Sequence, residues 1–257
     1  MQHINTLFIG HRHISLITID STNNYALQLL KNEQPPEGTL ITAQQQTAGR
    51  GQRGNAWQGE GNKNVAMSII LRPTFLPIHR QFALSQTIAL GVYNAINEIL
   101  GIKVRIKWPN DIYVGDKKIG GILIENHVNQ HTWLAAVVGI GININQIDFP
   151  NHLPNPTSLA LESGREWDIN DLTKKLCHNI ERQYLQLRAD KLTDIHQQYC
   201  QNLYRYGETA RFETPDGLVL MGKIIAVNEQ GKLLISTNNA PNETTIHEFD
   251  LKEIKFL

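Results

Sequence analysis

The sequence predicts an α/β (α+β) protein in which a larger domain of alternating strands and helices is followed by a small all-β module. Three patterns carry that reading. Short β-branched runs alternate with amphipathic segments as far as Tyr204, and the two longest segments keep an apolar stripe at helical spacing. Past Glu208 the period drops to that of short strands separated by turn tripeptides. With 257 residues, 41% of them hydrophobic, the chain can bury a full core and leave room for a smaller second one.

Residues 15–19 (Ser-Leu-Ile-Thr-Ile) read as a strand, and Asp20-Ser21-Thr22-Asn23 offers N-cap side chains to a helix running through Leu29 and Leu30. After the punctuation of Pro35-Pro36-Glu37-Gly38, residues 39–43 form a buried strand that leads into a glycine-rich loop over 49–57, and residues 65–71 form the next strand. Between Gln81 and Leu100, the residues Leu84, Ile88, Val92, Ala95, Ile96 and Ile99 recur three or four apart, which marks one long helix. Residues 104–106 and 122–124 read as the two strands of a hairpin around Gly115-Asp116-Lys117. Residues 133–144 read as two strand-like runs interrupted by Gly139 and Gly141. A helix starts near Asp168 with Leu172, Leu176, Ile180, Tyr184 and Leu187 on one face, and a second extends from Leu192 toward Tyr204. Pro215-Asp216-Gly217 and Glu229-Gln230-Gly231 are hairpin turns of the final module, which places a domain boundary near Gly207 and gives domains 1–206 and 207–257.

Twenty-four Lys+Arg balance 24 Asp+Glu, so no overall field draws the chain to DNA or to an anionic membrane. Attraction for phosphate must come from local clusters. Cys177 and Cys200 are spaced unlike a zinc or redox pair, and the N-terminus lacks the basic start and apolar core of a signal peptide. No run reaches the ~18 apolar residues of a membrane span. The expectation is a soluble cytoplasmic protein with two unpaired thiols.

Lys107-Trp108-Pro109-Asn110-Asp111, followed by Lys117-Lys118-Ile119-Gly120-Gly121-Ile122-Leu123-Ile124-Glu125, places lysines and an aspartate close together beside one sheet. Lys107, Asp111 and Lys118 are the set that neutralises a phosphate, holds a divalent cation and stabilises an oxyanion. Gly49-Arg50-Gly51-Gln52-Arg53-Gly54 matches GxGxxG literally, but polar, glycine-rich residues follow it instead of a helix, and no acidic residue ends the next strand. A Walker A loop is absent as well. What remains is a flexible loop whose glycines let backbone N–H groups approach an anion, with Arg50 and Arg53 as forked donors and Trp57 to cover an apolar ligand. The missing side chains of Gly139 and Gly141 leave room for a flat ligand, with Asn143 placed to hydrogen-bond an adenine edge. His11 and His13 form an HxH pair without a third metal ligand nearby.

Taken together, these motifs resemble the biotin–protein ligase family, also called biotin–[acetyl-CoA-carboxylase] ligase. The resemblance rests on Asp20-Ser21-Thr22-Asn23, on the run from Gln46 to Trp57, on Lys107 to Asp111, on Lys118 to Glu125 and on Gly139-Ile140-Gly141-Ile142-Asn143, in that order along most of the chain. It implies a catalytic domain similar to class II aminoacyl-tRNA synthetases, with a mixed sheet flanked by helices, and a C-terminal SH3-like β-barrel. It implies two half-reactions: biotin and ATP give biotinyl-5′-AMP and pyrophosphate, and a lysine of a biotin carboxyl carrier protein then takes the acyl group. Biotin contacts would fall on Ser21, Thr22, Asn23, Gln46, Gly49, Arg50, Lys118, Gly120 and Gly139. Nucleotide contacts would fall on Arg53, Trp57, Lys107, Asn110 and Asn143, with Asp111 beside Mg²⁺ or orienting the acceptor amine. Lys118, Arg50, Asp111 and Lys107 would form the catalytic set.

The rigid, neutral ureido ring of biotin suits uncharged Ser, Thr, Asn and Gln partners, and a cation between the carboxylate and the phosphate offsets their repulsion as the new bond forms. The chain departs from the family loop pattern, because Gln52 and Asn55 stand where arginines are usual. A looser loop over the adenylate is expected, with Lys63 or Arg72 as compensating cations. Only 20 residues precede Ser21, too few for the DNA-binding winged helix of some members, so a monofunctional enzyme without DNA or membrane partners is expected, as a monomer or as a homodimer through sheet edges near Gly139. The rivals are a lipoate or octanoate ligase and a non-catalytic biotin-binding regulator.

Overall fold

A computed structural model describes residues 4–129, 132–240 and 243–257, without the side chains of Arg53, Ile102, Asn239, Ala240 and Glu243. Its larger part is a seven-stranded sheet built from β1 (His13–Ile19), β2 (Thr39–Gln46), β3 (Asn64–Leu71), β4 (Val104–Lys107), β5 (Asp111–Val114), β6 (Lys117–Asn129) and β7 (Thr132–Asn143), in the order β1-β2-β3-β7-β6-β5-β4. β1 and β2 run parallel and the remaining neighbours antiparallel, so the sheet is mixed as expected.

Alternation of side chains along the central strands sorts the apolar residues onto two faces. Ile41, Ile70 and Val137 pack with Ala26 and Leu29 of α1 (Thr22–Asn32) on one face. Their chain neighbours Leu40, Ile69, Leu71 and Val138 join the other core, which contains α2 (Gln81–Leu100). A short helix, α3 (Leu159–Ser163), precedes α4 (Ile169–Arg188) and α5 (Leu192–Gln201), and both of these pack on α2. Leu84, Ile88, Val92 and Ile96 of α2 are fully buried, and burial of each side chain contributes about 1.5–3 kcal/mol. The helix over 168–188 begins where its N-cap requires, since the Asp168 carboxylate accepts from the amides of Asn170 and Asp171.

The hairpin read between residues 104 and 124 is a three-stranded meander. β5 lies between its arms, hidden in the sequence because Pro109-Asn110-Asp111 reads as a turn, and the tight turn at Gly115-Asp116 joins β5 to β6. Residues 132–143 form one continuous strand, not two, because Gly139 and Gly141 keep their ladder partners on both sides. Gly139 is therefore interior to the sheet, and the expected dimer edge there does not exist. The edges are β1 and β4, and β4 is covered: Ile106 donates to Asn202 O at 2.9 Å and accepts from Tyr204 N at 2.8 Å.

A five-stranded antiparallel sheet follows, made of β8 (Thr209–Glu213), β9 (Val219–Val227), β10 (Leu233–Ala240), β11 (Glu243–Phe249) and β12 (Lys255–Phe256) in the order β11-β10-β9-β8-β12. Phe212, Ile224, Leu233 and Ile235 belong to the same apolar cluster as α2, and the Trp108 indole donates to Gly231 O at 2.9 Å. The small sheet is thus seated against the end of the large one, close to the β4–β5 connection.

Candidate active site

At that end of the large sheet lies a cleft of about 230 Å³. Segments far apart in sequence wall it: Ser21, Thr22 and Asn23 at the start of α1, Gln46 at the end of β2, the loop residues Arg50 and Trp57, Asn110 and Asp111, Lys118, and Gly139 in β7. Most of the site residues expected from the sequence therefore converge on one cavity.

One end of the cleft is a buried polar network. Ser21, Thr22 and Asn23 are each no more than 3% exposed, a burial that uncharged polar groups tolerate only with partners. Thr22 donates to Gln46 Oε1 through its amide at 2.8 Å and its hydroxyl at 3.1 Å. Ser68 Oγ lies 2.8 Å from Thr22 Oγ1 and 2.6 Å from Asn23 Oδ1. Asn23 Nδ2 in turn donates to Glu125 Oε2 at 2.8 Å.

The other end carries charge. Lys118 Nζ sits 2.7 Å from Asp111 Oδ1, with side chains 34% and 23% exposed. The strand register explains the meeting, because Asp111 pairs with Gly121 across β5–β6, and this glycine leaves space beside its strand for the carboxylate and the ammonium. Arg50 makes a forked pair with Glu125, at 2.7 and 3.1 Å, and also donates to Asn24 Oδ1 at 2.7 Å. Its guanidinium is thus already engaged by a protein carboxylate instead of standing open. The loop itself is braced: Gly51 N donates to Asn55 O, Asn55 N to Gln52 O and Trp57 N to Gly49 O, which makes it tighter than the flexible turn expected. The side chain of Arg53, expected at the nucleotide, lies outside the described residues.

Several expected contacts are placed differently. The space beside Gly139 and Gly141 is filled by protein: a Cβ on Gly139 would stand 2.2 Å from Asn23 Oδ1, and one on Gly141 2.4 Å from the Trp57 ring. These glycines let Asn23 and the indole lie against the strand. Gly49 and Gly120 do not line the cleft; Gly49 admits the Trp57 carbonyl and Gly120 the side chain of Ile142. Asn143 is buried behind the cleft, its Nδ2 given to Thr157 O at 2.9 Å and its Oδ1 without a partner among the described residues. Asn110 lines the cleft with its Nδ2 donated to Ile122 O at 2.6 Å.

Lys107 departs furthest from expectation. It lies outside the cleft lining, its Nζ 3.0 Å from the Tyr113 hydroxyl and 4.6, 5.1 and 5.8 Å from the ring centres of Tyr113, Phe256 and Tyr204. Burial among these rings holds its ammonium below the ordinary lysine pKa, Asp111 opposes the shift and Lys118 adds to it. The aromatic cage joins β5, the 202–206 segment and β12, so Lys107 ties the two sheets together. The proposed compensating cations also lie elsewhere: Arg72 donates to Pro35 O and Leu134 O, and Lys63 does not line the cleft.

The comparisons with known proteins agree with this geometry. Residues 15–143 match the sequence model of the biotin/lipoate A/B protein ligase family. The chain belongs to that family. It is 34% identical over 238 residues to the bifunctional ligase/repressor BirA of Bacillus subtilis, covering 91% of this chain and 72% of that one. It is 26% identical over 231 residues to the biotin–[acetyl-CoA-carboxylase] ligase of Mycobacterium tuberculosis, with 88% and 84% covered. Among solved structures, the biotin protein ligase of Aquifex aeolicus in complex with biotin and ATP superposes with a TM-score of 0.77 at 27% identity, covering 95% of this chain and 98% of that one.

For this member of the ligase family, sequence reasoning missed Ser68, Asn24, Met67, Gly121, Leu123 and Glu125, and it missed Leu251 and Lys252, which reach the cleft from the small sheet. One signal was available. Gly121, Leu123 and Glu125 alternate on β6, so Leu123 reaches the same cleft as Gly121, and Glu125 follows on that face to meet Asn23 and Arg50. Nothing local marks Leu251 and Lys252. Among the described residues Lys252 makes no ion pair, whereas Arg50 and Lys118 are neutralised by Glu125 and Asp111.

Proposed function

We propose that this chain is a biotin–protein ligase that joins biotin to ATP as biotinyl-5′-AMP and then transfers the biotinyl group to a lysine of a biotin carboxyl carrier protein. The observation that carries the reading is the two-ended cleft. Buried Ser21, Thr22 and Asn23, with partly buried Gln46, face an end lined by Arg50, Lys118, Lys252 and Asp111 across a single cavity. A neutral ureido ring and an acyl phosphate need opposite surroundings, and one cavity supplies both. The similarity to the Aquifex ligase with biotin and ATP bound supports the same assignment.

In the first half-reaction a biotin carboxylate oxygen attacks the α-phosphorus of ATP, and the bond to the bridging oxygen of pyrophosphate breaks. Lys118 is placed to neutralise the two anions as they meet, a stabilisation greatest in the transition state. In the second, the neutral amine of the carrier lysine attacks the acyl carbon, AMP leaves, and the amine proton passes to the medium or to Asp111. Among the described residues Asp111 is the one carboxylate lining the cleft, and one carboxylate together with substrate phosphates is the donor set Mg²⁺ commonly takes. Bound there, the ion would neutralise phosphate charge. Among the described residues no three His, Cys, Asp or Glu side chains gather to form a closed metal site.

Residues 1–206 form the catalytic domain and residues 207–257 a C-terminal SH3-like domain in this reading. Two free buried cysteines suit the reducing cytoplasm where ATP is abundant, and no helix among the described residues is long and apolar enough to cross a membrane. Pyrophosphate exchange with biotin, lipoate and octanoate offered side by side tests the function. Exchange should depend on biotin alone; equal or greater exchange with lipoate or octanoate transfers the assignment to the other branch of the family.

A further inference from the structure

We propose that Glu125 is a positioning residue that selects for an acid bearing N–H groups, by leaving the Asn23 amide able only to accept hydrogen bonds. The inference rests on reading the polar end of the cleft as the biotin end.

An ionised carboxylate accepts hydrogen bonds and donates none, so it can face only the Nδ2 end of an asparagine. Glu125 Oε2 takes one Nδ2 hydrogen at 2.8 Å, and Leu123 O stands at 3.4 Å from the same nitrogen. The amide cannot turn over, because its oxygen would then meet both Glu125 and the Leu123 carbonyl. Asn23 Oδ1 is thereby held beside Ser68 Oγ at 2.6 Å, and the second lone pair of this oxygen is the only hydrogen-bonding capacity the amide has left.

The ureido ring of biotin has two N–H donors to offer such an acceptor, whereas the dithiolane of lipoate and the tail of octanoate have none. A cavity presenting a fixed, desolvated acceptor leaves that acceptor unpaired when a hydrocarbon acid enters, and this is the strongest form of discrimination a polar site achieves. The same carboxylate also grips Arg50 by its fork, so one side chain sets both the amide and the entry to the loop. Glu125 has no place in the apolar cores, and a partly exposed pair of this kind adds little to stability, so its value to the protein lies in orientation.

The test is a calorimetric titration of the full chain with biotin and, separately, with octanoate, for wild type, Glu125→Gln, Asn23→Ala and the double variant. Glu125→Gln can turn its own amide to either neighbour and frees Asn23 to flip, so biotin affinity should fall roughly tenfold to a hundredfold. In the Asn23→Ala background the same change should move biotin affinity less than threefold, and octanoate affinity should fall in no variant and should rise in Asn23→Ala, which removes the acceptor that octanoate leaves unpaired. Additive losses in the two backgrounds, an unchanged biotin affinity in Glu125→Gln, or an equal loss for octanoate would each overturn the proposal. If Glu125→Gln does not fold, Glu125→Asp serves: one methylene shorter, it keeps charge near Arg50, withdraws from Asn23 and should lose biotin affinity in the same non-additive way. A wild type that binds no biotin overturns the underlying assignment of the site, a result separate from any comparison among variants.

Discussion

Replacing Lys118 by alanine should separate catalysis from stability. In the structure its ammonium lies 2.7 Å from Asp111, and both side chains are partly exposed, at 34% and 23%. An ion pair in that setting contributes about 0–1 kcal/mol to folding, and the aspartate left behind can hydrate. For a chain of this size that loss moves Tm by no more than about 2–4 °C. The kinetic consequence is larger. At an effective dielectric constant of about 20, a cation about 4 Å from a developing anion is worth about 4 kcal/mol, and each 1.36 kcal/mol is about tenfold in rate. Biotin-dependent pyrophosphate exchange in Lys118→Ala should therefore fall about 10³-fold, while thermal unfolding stays within a few degrees of wild type. Exchange within tenfold of wild type would refute the argument, and so would a large drop in Tm that accounts for the lost activity.

Other consequences follow from individual contacts. Gly141→Ala puts a methyl group 2.4 Å from the Trp57 ring and must push the indole off the strand, so KM for ATP should rise at least roughly tenfold while biotin affinity, set at the other end of the cleft, stays within threefold. Steady-state kinetics with each substrate varied separately reads both. Burial holds His13 below its usual 6.5, so as pH falls the unfolded chain takes the proton before the folded one. Stability should decline from pH 6.5 down to the folded value and level off below it, and His13→Gln, which can still reach Thr42, should remove that part of the slope in urea midpoints measured between pH 7 and 5. Gln52→Arg restores one of the arginines usual in the family and should slow escape of biotinyl-5′-AMP, measured by rapid filtration of the loaded enzyme; equal release rates would show that the loop holds the adenylate without this charge. Lys252→Ala removes the cleft-lining cation that has no ion pair among the described residues, and KM for ATP should rise by roughly threefold to tenfold with kcat little changed.

Local pattern was sufficient for much of this molecule. The helical stripe from Gln81 to Leu100, the Asp168 cap, the turns at 215–217 and 229–231 and the ordered motifs around Ser21, Arg50, Asp111 and Lys118 follow from periodicity, capping and turn chemistry, which act over a few residues. Strand β5 was not legible because its four residues follow a Pro-Asn pair and become a strand only through pairing with β4 and β6.

What tertiary structure alone decided is which charge meets which. The chain displays Arg50, Lys107, Lys118 and Lys252 alike, but folding joins the first to Glu125, encloses the second in tyrosine and phenylalanine rings, sets the third on Asp111 and brings the fourth to the cleft from the other sheet. A charge acts over several ångströms of space with no regard for chain separation, so its role depends on distances that strand register and sheet packing create. Composition and spacing named the chemistry; strand register, which sets Lys118 on Asp111, and contacts as distant as the 75 positions between Arg50 and Glu125 determined where in the cleft it can occur.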